Sequence, residues 1–408
     1  MKTIKGGNRL VTQVEDSALQ YDFHPYLISG GDVTYNVLTG ETVRGIDIKE
    51  DREDLIRKWF MAPVGMDLNS LVYYLRQTMR PASTFVNDYT IFTTVKCNAS
   101  CPYCFQHGGE DSSMGSEVAK DVASYILNNS DKSRRITIRW FGGEPLLNKE
   151  AINIISKVLR NASINFVSSM STNGELLPDV LDSELYLWNL KNVQLTLDDS
   201  YENYDMSKGL PKGAYERLKE SIVRLESFDI FANIRLHYHP ELGLDTALRI
   251  VEDFKGYKNV RMYPAMIYGP KRTKEDYENL YILDTAILEA GLSKFDIMSS
   301  PRTHYCMADD ERSRCIRVDG SMTPCEHYFK GETVGTIYSN DRNLDLVKKW
   351  SSKRKFDKKC VGCPLYPSCD ILSNCPSIGD CDEGYREYLI ARIKRTLEGI
   401  GRNYHEQG

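Results

Sequence analysis

An α/β fold built on a parallel sheet is what the sequence predicts, from three observations. Between Tyr89 and about Leu292, short β-branched runs alternate six times with stretches whose apolar residues recur three and four apart. The chain between successive runs is long enough for a crossover helix, which parallel strands require. Six such units are too few to close an eight-stranded barrel, leaving a partial barrel and a doubly wound sheet as candidates.

The elements follow in order. Residues 1 to 86 read as extended segments around the turn "LTGET", then two helical stretches, "KEDREDLIRKWFM" and "DLNSLVYYLRQTM". The six strands are "YTIFTTV", "RITIRWF", "INFVSSMS", "NVQLTLD", "FANIRLHYH" and "VRMYPAMIY". Helical periods lie between them in "SEVAKDVASYILNN", "KEAINIISKVLRNA", "LLPDVLDSELYLWNL", "YERLKESIVRLESF" and "TALRIVEDFK". Residues 300 to 385 are rich in Cys, Pro, Ser and Lys with little periodicity, so metal is expected to stabilise a segment that cannot pack a core unaided. The charged amphipathic stretch "EGYREYLIARIKRTLEGI" closes the chain.

Composition excludes several function classes. A net charge of −5 over 408 residues, without long charge blocks, offers no nucleic-acid surface. No apolar run suits a signal peptide or a membrane span, so the expected location is cytoplasmic, without a membrane partner. In a reducing compartment the 11 cysteines, an odd number, argue for metal ligation over disulfides.

Cys97, Cys101 and Cys104 directly follow the first strand of the series, which puts them at the carboxyl edge of the sheet. Thiolates that close, on a turn stiffened by Pro102 and Tyr103, suit a compact iron–sulfur cube. A cube has four irons; three protein thiolates leave one iron open to another ligand. The alternative is a zinc site completed by His107, to which C-x3-C-x2-C is a poor match.

With Tyr103 before the last cysteine, this loop resembles the signature of the radical S-adenosylmethionine enzymes. The resemblance implies a 4Fe-4S cluster on Cys97, Cys101 and Cys104, with S-adenosylmethionine (S-adenosyl-L-methionine) chelated at the open iron and cleaved to a 5′-deoxyadenosyl radical. It also implies a partial (β/α)6 TIM-like barrel over residues 87–295. "WFGGEP" ends the second strand: Gly142 and Gly143 remove bulk so that backbone can approach a ligand closely, and Glu144 offers a carboxylate. In the family this segment contacts the methionyl amino group. Ser171, Thr172, Asn173 and Asp198 stand at the ends of the third and fourth strands, where family members bind the cofactor's carboxylate and ribose. Arg235 on the fifth strand is the candidate cation for the methionyl carboxylate. Where many relatives carry Gly after the strand-four Asp and an Arg further on, this chain has Asp199 and "SYENYDMSKG".

The remaining eight cysteines make two tetrahedral sets, and their order resembles the SPASM extension of this family, here over residues 300–385, with residues 386–408 as a terminal helix. By that resemblance Cys306, Cys315, Cys325 and Cys375 bind a first auxiliary 4Fe-4S cluster and Cys360, Cys363, Cys369 and Cys381 a second, three clusters in all. Zinc stays open for "CVGCPLYPSC" on spacing alone. Glu326, next to Cys325, is the candidate catalytic carboxylate to take up a proton; His304, His327 and Tyr328 lie close by in sequence.

Relatives of this architecture mostly act on peptides or proteins. The implied partners are a precursor peptide with a leader sequence and a flavodoxin- or ferredoxin-type electron donor. The implied reaction is hydrogen abstraction followed by a thioether, C–C or C–O crosslink. Residues 1–86 loosely resemble the winged-helix leader-recognition domain of ribosomal-peptide maturases, a barrel cap being the alternative. Oxidation of Cys or Ser to formylglycine, as in anaerobic sulfatase maturases, is a second reading. A non-catalytic, metal-stabilised binding protein is a third.

Overall fold

A computed structural model describes residues 19–45, 51–78, 86–106, 111–267, 272–293, 307–310, 312–328, 331, 333–351, 360–369 and 381–405. Cys306, Cys375, His107 and His304 lie outside these residues. The first part of the chain runs β1 (Tyr21–Phe23), β2 (Leu27–Gly30), β3 (Val33–Asn36), β4 (Thr42–Arg44), α1 (Arg52–Arg57), β5 (Met61–Pro63) and α2 (Leu68–Thr78). The β/α series follows as β6 (Asp88–Thr94), α3 (Ser116–Asn129), β7 (Ile136–Gly142), α4 (Lys149–Asn161), β8 (Phe166–Ser171), α5 (Asp182–Trp188) and β9 (Leu190–Leu197). It continues through α6 (Tyr204–Lys208), α7 (Ala214–Glu226), β10 (Phe231–Tyr238), α8 (Leu244–Asp253), β11 (Val260–Met266) and α9 (Lys274–Glu289). Last come β12 (Ser313–Ile316), β13 (Ser321–Thr323), β14 (Gly335–Thr336), β15 (Ser339–Arg342), α10 (Leu344–Ser351) and α11 (Glu383–His405).

Strands β6 to β11 pair in parallel and in sequence order, as the six hydrophobic runs require, and the open sheet is a partial barrel. Alternate residues build its two faces. Ile136, Ile138 and Trp140 of β7 and Val193, Leu195 and Leu197 of β9 are fully buried in the main core. Burying each Ile, Val or Leu stabilises the fold by roughly 1.5–3 kcal/mol. The other face is polar. Thr90, Arg139, Ser169 and Asn192 are successive register partners across β6 to β9, and Arg235 pairs with Thr196.

Three sequence expectations need correction. "LLPDVLDSELYLWNL" is not one helix: Pro178 sits in a short 3-10 turn, Val180 is extended, and the α-helix covers only α5 before Asn189 turns left-handed at φ 46°. In "KEDREDLIRKWFM" the helix stops after Arg57, Trp59 takes φ 60°, and Met61 begins β5. The cysteine-rich segment also carries more regular structure than its sequence suggested. β12 joins β6 in parallel, with Cys315 opposite Thr90, and β13 to β15 extend the sheet antiparallel. Strands of two to four residues are too short to display a period.

The N-terminal unit does not stand apart. The β2–β3–β4 meander and α2 share one core with α11 and the loop carrying Cys360, Cys363 and Cys369. Gly30 is obligatory there, since a β-carbon would fall 2.3 Å from the Lys394 carbonyl oxygen on α11. Tyr26 packs on Tyr366 with ring centroids 6.1 Å apart, and both hydroxyls donate to Asn69, at 2.7 Å and 3.4 Å. No helix among the described residues is long and apolar enough to cross a membrane.

Candidate active site

The loop that leaves β6 carries Cys97, Cys101 and Cys104, and neighbouring segments fix it through backbone bonds. The Gly143 amide donates to the Thr94 carbonyl at 3.0 Å, that of Glu144 to Lys96 at 2.8 Å, and that of Ser100 to Lys208 at 2.7 Å. Asn148 donates to the carbonyls of Thr93 and Met114, holding the strand end. Within the loop, the Cys104 amide donates to the Cys101 carbonyl at 3.1 Å and the Ala99 amide to Cys97 Sγ at 3.4 Å. Burial pushes the Cys97 thiol up to about 11 and raises that of Cys101 against the pull of Lys208. Metal loading must therefore displace protons.

The sequence reading gave Gly142 and Gly143 a role in close approach of a ligand. Their missing side chains also let the chain approach itself: β-carbons would lie 1.9 Å from the Thr94 oxygen and 2.2 Å from that of Lys96. Gly143→Ala should therefore push the cysteine loop off the sheet edge, costing about 1–3 kcal/mol or more. A thermal melt and the iron bound after anaerobic reconstitution check this; an unchanged melt would refute it.

Glu144 is fully buried. Its carboxylate accepts from Thr172 Oγ1 at 2.9 Å, from the Asn173 amide at 2.9 Å and from the Leu146 amide at 3.1 Å. It thus ties the end of β7 to the end of β8. Burial pushes its pKa up to about 7 in spite of these donors. A carboxyl raised on folding contributes stability that is complete below its unfolded pKa and is lost as pH rises through the folded one. The melting temperature of Glu144→Gln relative to wild type should therefore climb between about pH 4.5 and 7 and then level off. A difference independent of pH would count against the assignment.

The other strand-end residues divide into two groups. Asn173 donates to Asn98 Oδ1 at 2.8 Å and so reaches the cysteine loop, alongside Thr172 and Glu144. Ser171 and Arg235 lie on the polar face of the sheet, where Arg235 Nε is buried without a partner. His237, two residues further on β10, is also buried, and neither ring nitrogen has a partner. Burial, with help from Arg235 and Lys208, pushes His237 down to about 3 and keeps the imidazole neutral. Its ring meets that of Tyr103 edge-on at 5.1 Å. Asp198 is held by Lys208, Nζ to Oδ1 2.9 Å, and Lys208 also donates to the Tyr103 hydroxyl at 2.7 Å. A cavity of about 390 Å³ opens beside this group at the carboxyl ends of β9 to β11, lined by Pro102, Tyr103, Asp198, Tyr238, His239 and Met266 among others.

Across the polar face, β12 brings Cys315 against Phe92, and Cys325 is also buried. Burial raises the Cys315 thiol strongly, and the charges of Glu326 and Arg139 reach it. Arg139 Nη1 lies 3.4 Å from Glu326 Oε1, while Glu326 Oε2 is buried without a partner. His327 stacks on Phe105, the residue after Cys104, with centroids 4.2 Å apart. Cys381 sits at the start of the segment leading into α11, and Cys360, Cys363 and Cys369 form the knuckle under Tyr366. Among the described residues no three His, Cys, Asp or Glu side chains gather closely enough to hold a single ion. A cube takes each thiolate on a different iron, so a spaced trio on one loop is the donor set it requires.

The sequence reading missed Lys208, Asn98, Arg139, Phe105 and His237. Lys208 had one available signal, since Tyr204 stands four residues before it on the same helical face. Arg139 shares a face with Phe141 and Thr137 by strand alternation, which sequence alone could have paired with the lumen.

A parallel sheet carries three thiols on its first carboxyl-edge loop, and a cysteine-bearing C-terminal extension continues the sheet beside β6. Residues 91–254 match the sequence model described as "Radical SAM superfamily". Among solved structures the fold is similar to that of "Native anSMEcpe with bound AdoMet and Cp18Cys peptide", with a TM-score of 0.59 at 17% identity, over 78% of this chain and 99% of that one. It is also similar to Streptococcus suis SuiB bound to precursor peptide SuiA, with a TM-score of 0.51 at 15% identity, over 86% of this chain and 95% of that one. By sequence, the GTP 3',8-cyclase of Desulforamulus reducens is 33% identical over 115 residues, 28% of this chain and 34% of the relative. The probable GTP 3',8-cyclase of Methanosarcina mazei is 25% identical over 222 residues, 52% of this chain and 63% of the relative. The chain therefore spans less than two thirds of the length of these curated relatives.

Proposed function

We propose that the chain is a peptide-modifying radical S-adenosylmethionine enzyme that abstracts a hydrogen atom from a precursor peptide and closes a thioether, C–C or C–O crosslink. One observation carries the reading: the stack of His327 on Phe105 brings the segment carrying Cys325 and Glu326 up to the three-cysteine loop. The fold likeness to anSMEcpe and SuiB, both described with bound peptide, supports a peptide as substrate.

Cys97, Cys101 and Cys104 would hold the first 4Fe-4S cluster, and the cavity bordered by Tyr103 and Asp198 has the volume of a small-ligand site. When bound, the cluster and S-adenosylmethionine supply a one-electron cleavage yielding a 5′-deoxyadenosyl radical that removes substrate hydrogen. Arg235, with an unpartnered Nε on the lumen face, supplies a cation for a carboxylate. Thr172, Asn173 and Glu144 act on the cysteine loop from behind, since Glu144 accepts from Thr172 and the Asn173 amide while the Asn173 side chain reaches Asn98 on the loop. Glu326, with an unpartnered buried oxygen, takes the proton released as the crosslink closes, and an auxiliary cluster at the C-terminal cysteines would take up the remaining electron. Cys315 and Cys325 with Cys306 and Cys375 would hold one auxiliary cluster, and Cys360, Cys363, Cys369 and Cys381 the other. An electron-carrier protein of the flavodoxin or ferredoxin type would supply the first electron.

Anaerobic reconstitution should load about twelve irons and as many sulfides, three cubes of four. Co-expression with a neighbouring short peptide, read by tandem mass spectrometry, should reveal a linked pair of residues. A colourless, zinc-loaded protein that forms no 5′-deoxyadenosine would instead mark a binding protein. A second reading, oxidation of Cys or Ser to formylglycine, is favoured by the TM-score of 0.59 to anSMEcpe; an aldehyde on the peptide in place of a crosslink would establish it.

A further inference from the structure

Lys208 is a lysine that water does not reach. Its side chain is 2% exposed, and its ammonium is enclosed by Asp198 Oδ1 at 2.9 Å, the Tyr103 hydroxyl at 2.7 Å and the faces of Tyr103 and Tyr204 at 5.4 Å and 5.2 Å. Burying an ammonium is costly unless it is paired, and one carboxylate with one hydroxyl is a sparse set for three N–H donors. The backbone holds this charge against the cysteine loop. The Lys208 carbonyl accepts from the Ser100 amide at 2.7 Å, and Gly209, left-handed at φ 62°, lies so near that a β-carbon would fall 2.1 Å from Ser100 Oγ. Ser100 and Tyr103 flank Cys101, so the backbone bond and the ammonium bond both bring the Lys208 charge up to that residue. Ammonium and phenol thus sit together beside Cys101 inside a dry pocket, where charges interact far more strongly than at a surface.

We propose that Lys208, acting through Tyr103, is a positioning residue that sets the reduction potential of a cluster held by Cys97, Cys101 and Cys104. Hydrogen bonds to the sulfurs, nearby charge and solvent exclusion are the protein's means of tuning such a centre. A positive charge held beside Cys101 stabilises the reduced, more negative cluster, whereas the Asp198 charge opposes it. Lys208 therefore makes the centre easier to reduce. This inference rests on the proposed ligation of that loop.

The test is an anaerobic redox titration followed by electron paramagnetic resonance, with the signal of this cluster identified by its response to added S-adenosylmethionine. Wild type that loads no iron, or whose spectrum ignores S-adenosylmethionine, would overturn the ligation itself. Given a loaded wild type, Lys208→Met should lower the reduced-to-oxidised ratio at fixed potential about tenfold, equivalent to roughly 59 mV for one electron. Asp198→Asn, which removes the opposing charge, should shift the potential the other way. Tyr103→Phe, which keeps the ring and deletes the hydroxyl, should shift it in the direction of Lys208→Met. A purely structural role moves Lys208→Met and Asp198→Asn together, because either change loosens the same loop. Shifts of equal sign, or none in the variants that load iron, would overturn the proposal. So would loss of iron from all three, which places the network in cluster assembly.

Discussion

Cys101→Ala is expected to bring 5′-deoxyadenosine formation down to the level of buffer containing reductant and S-adenosylmethionine alone. A cube needs all three loop thiolates, since the fourth iron is already without a protein ligand. The change removes a half-buried sulfur and leaves the backbone bonds from Ser100 to Lys208 and from Glu144 to Lys96 in place. Far-ultraviolet circular dichroism should therefore match wild type while the visible iron–sulfur absorption falls. Cys97→Ala and Cys104→Ala should behave alike. Retained 5′-deoxyadenosine in any of the three would refute the assignment of that ligand.

Glu326→Gln should separate two steps that Cys101→Ala abolishes together. Gln keeps the volume and the contact to Arg139 but cannot accept a proton. Proton transfer by a positioned side chain typically contributes 10²–10⁴-fold, so modified peptide should fall by about that factor. Formation of 5′-deoxyadenosine should persist, because Glu326 pairs with Arg139 and its charge reaches Cys315, while the bonds that fix the cysteine loop come from other residues. Liquid chromatography of the nucleoside beside mass spectrometry of the peptide reads both quantities from one reaction. Undiminished product would assign the proton to another group.

The six core strands were legible because each is seven or so residues long, β-branched and covered by helices, so periodicity alone located β6 to β11. The cysteines were legible through spacing, and their loop fell at the carboxyl edge as strand order required. Short elements were not. β12 has four residues and β14 two, and both owe their conformation to partners distant in sequence, β6 and β13. The Glu144–Thr172–Asn173 network joins three named candidates, yet no pattern in the sequence reveals that their polar atoms face one another. Lys208 was hidden for a related reason: a lysine in "NYDMSKG" reads as solvated until α6 is seen to turn it inward onto Asp198.

The shared core of the β2–β3–β4 meander and α11 has a consequence for biosynthesis. The meander leaves the ribosome early, but the helix that covers Gly30 and Tyr35 is translated after almost all of the rest. At roughly 5–20 residues per second the nascent strands wait for tens of seconds with an apolar face uncovered. During that interval a holdase chaperone, or slow translation at the C-terminal end, governs how much polypeptide escapes aggregation, and rapid overexpression should send the excess into inclusion bodies.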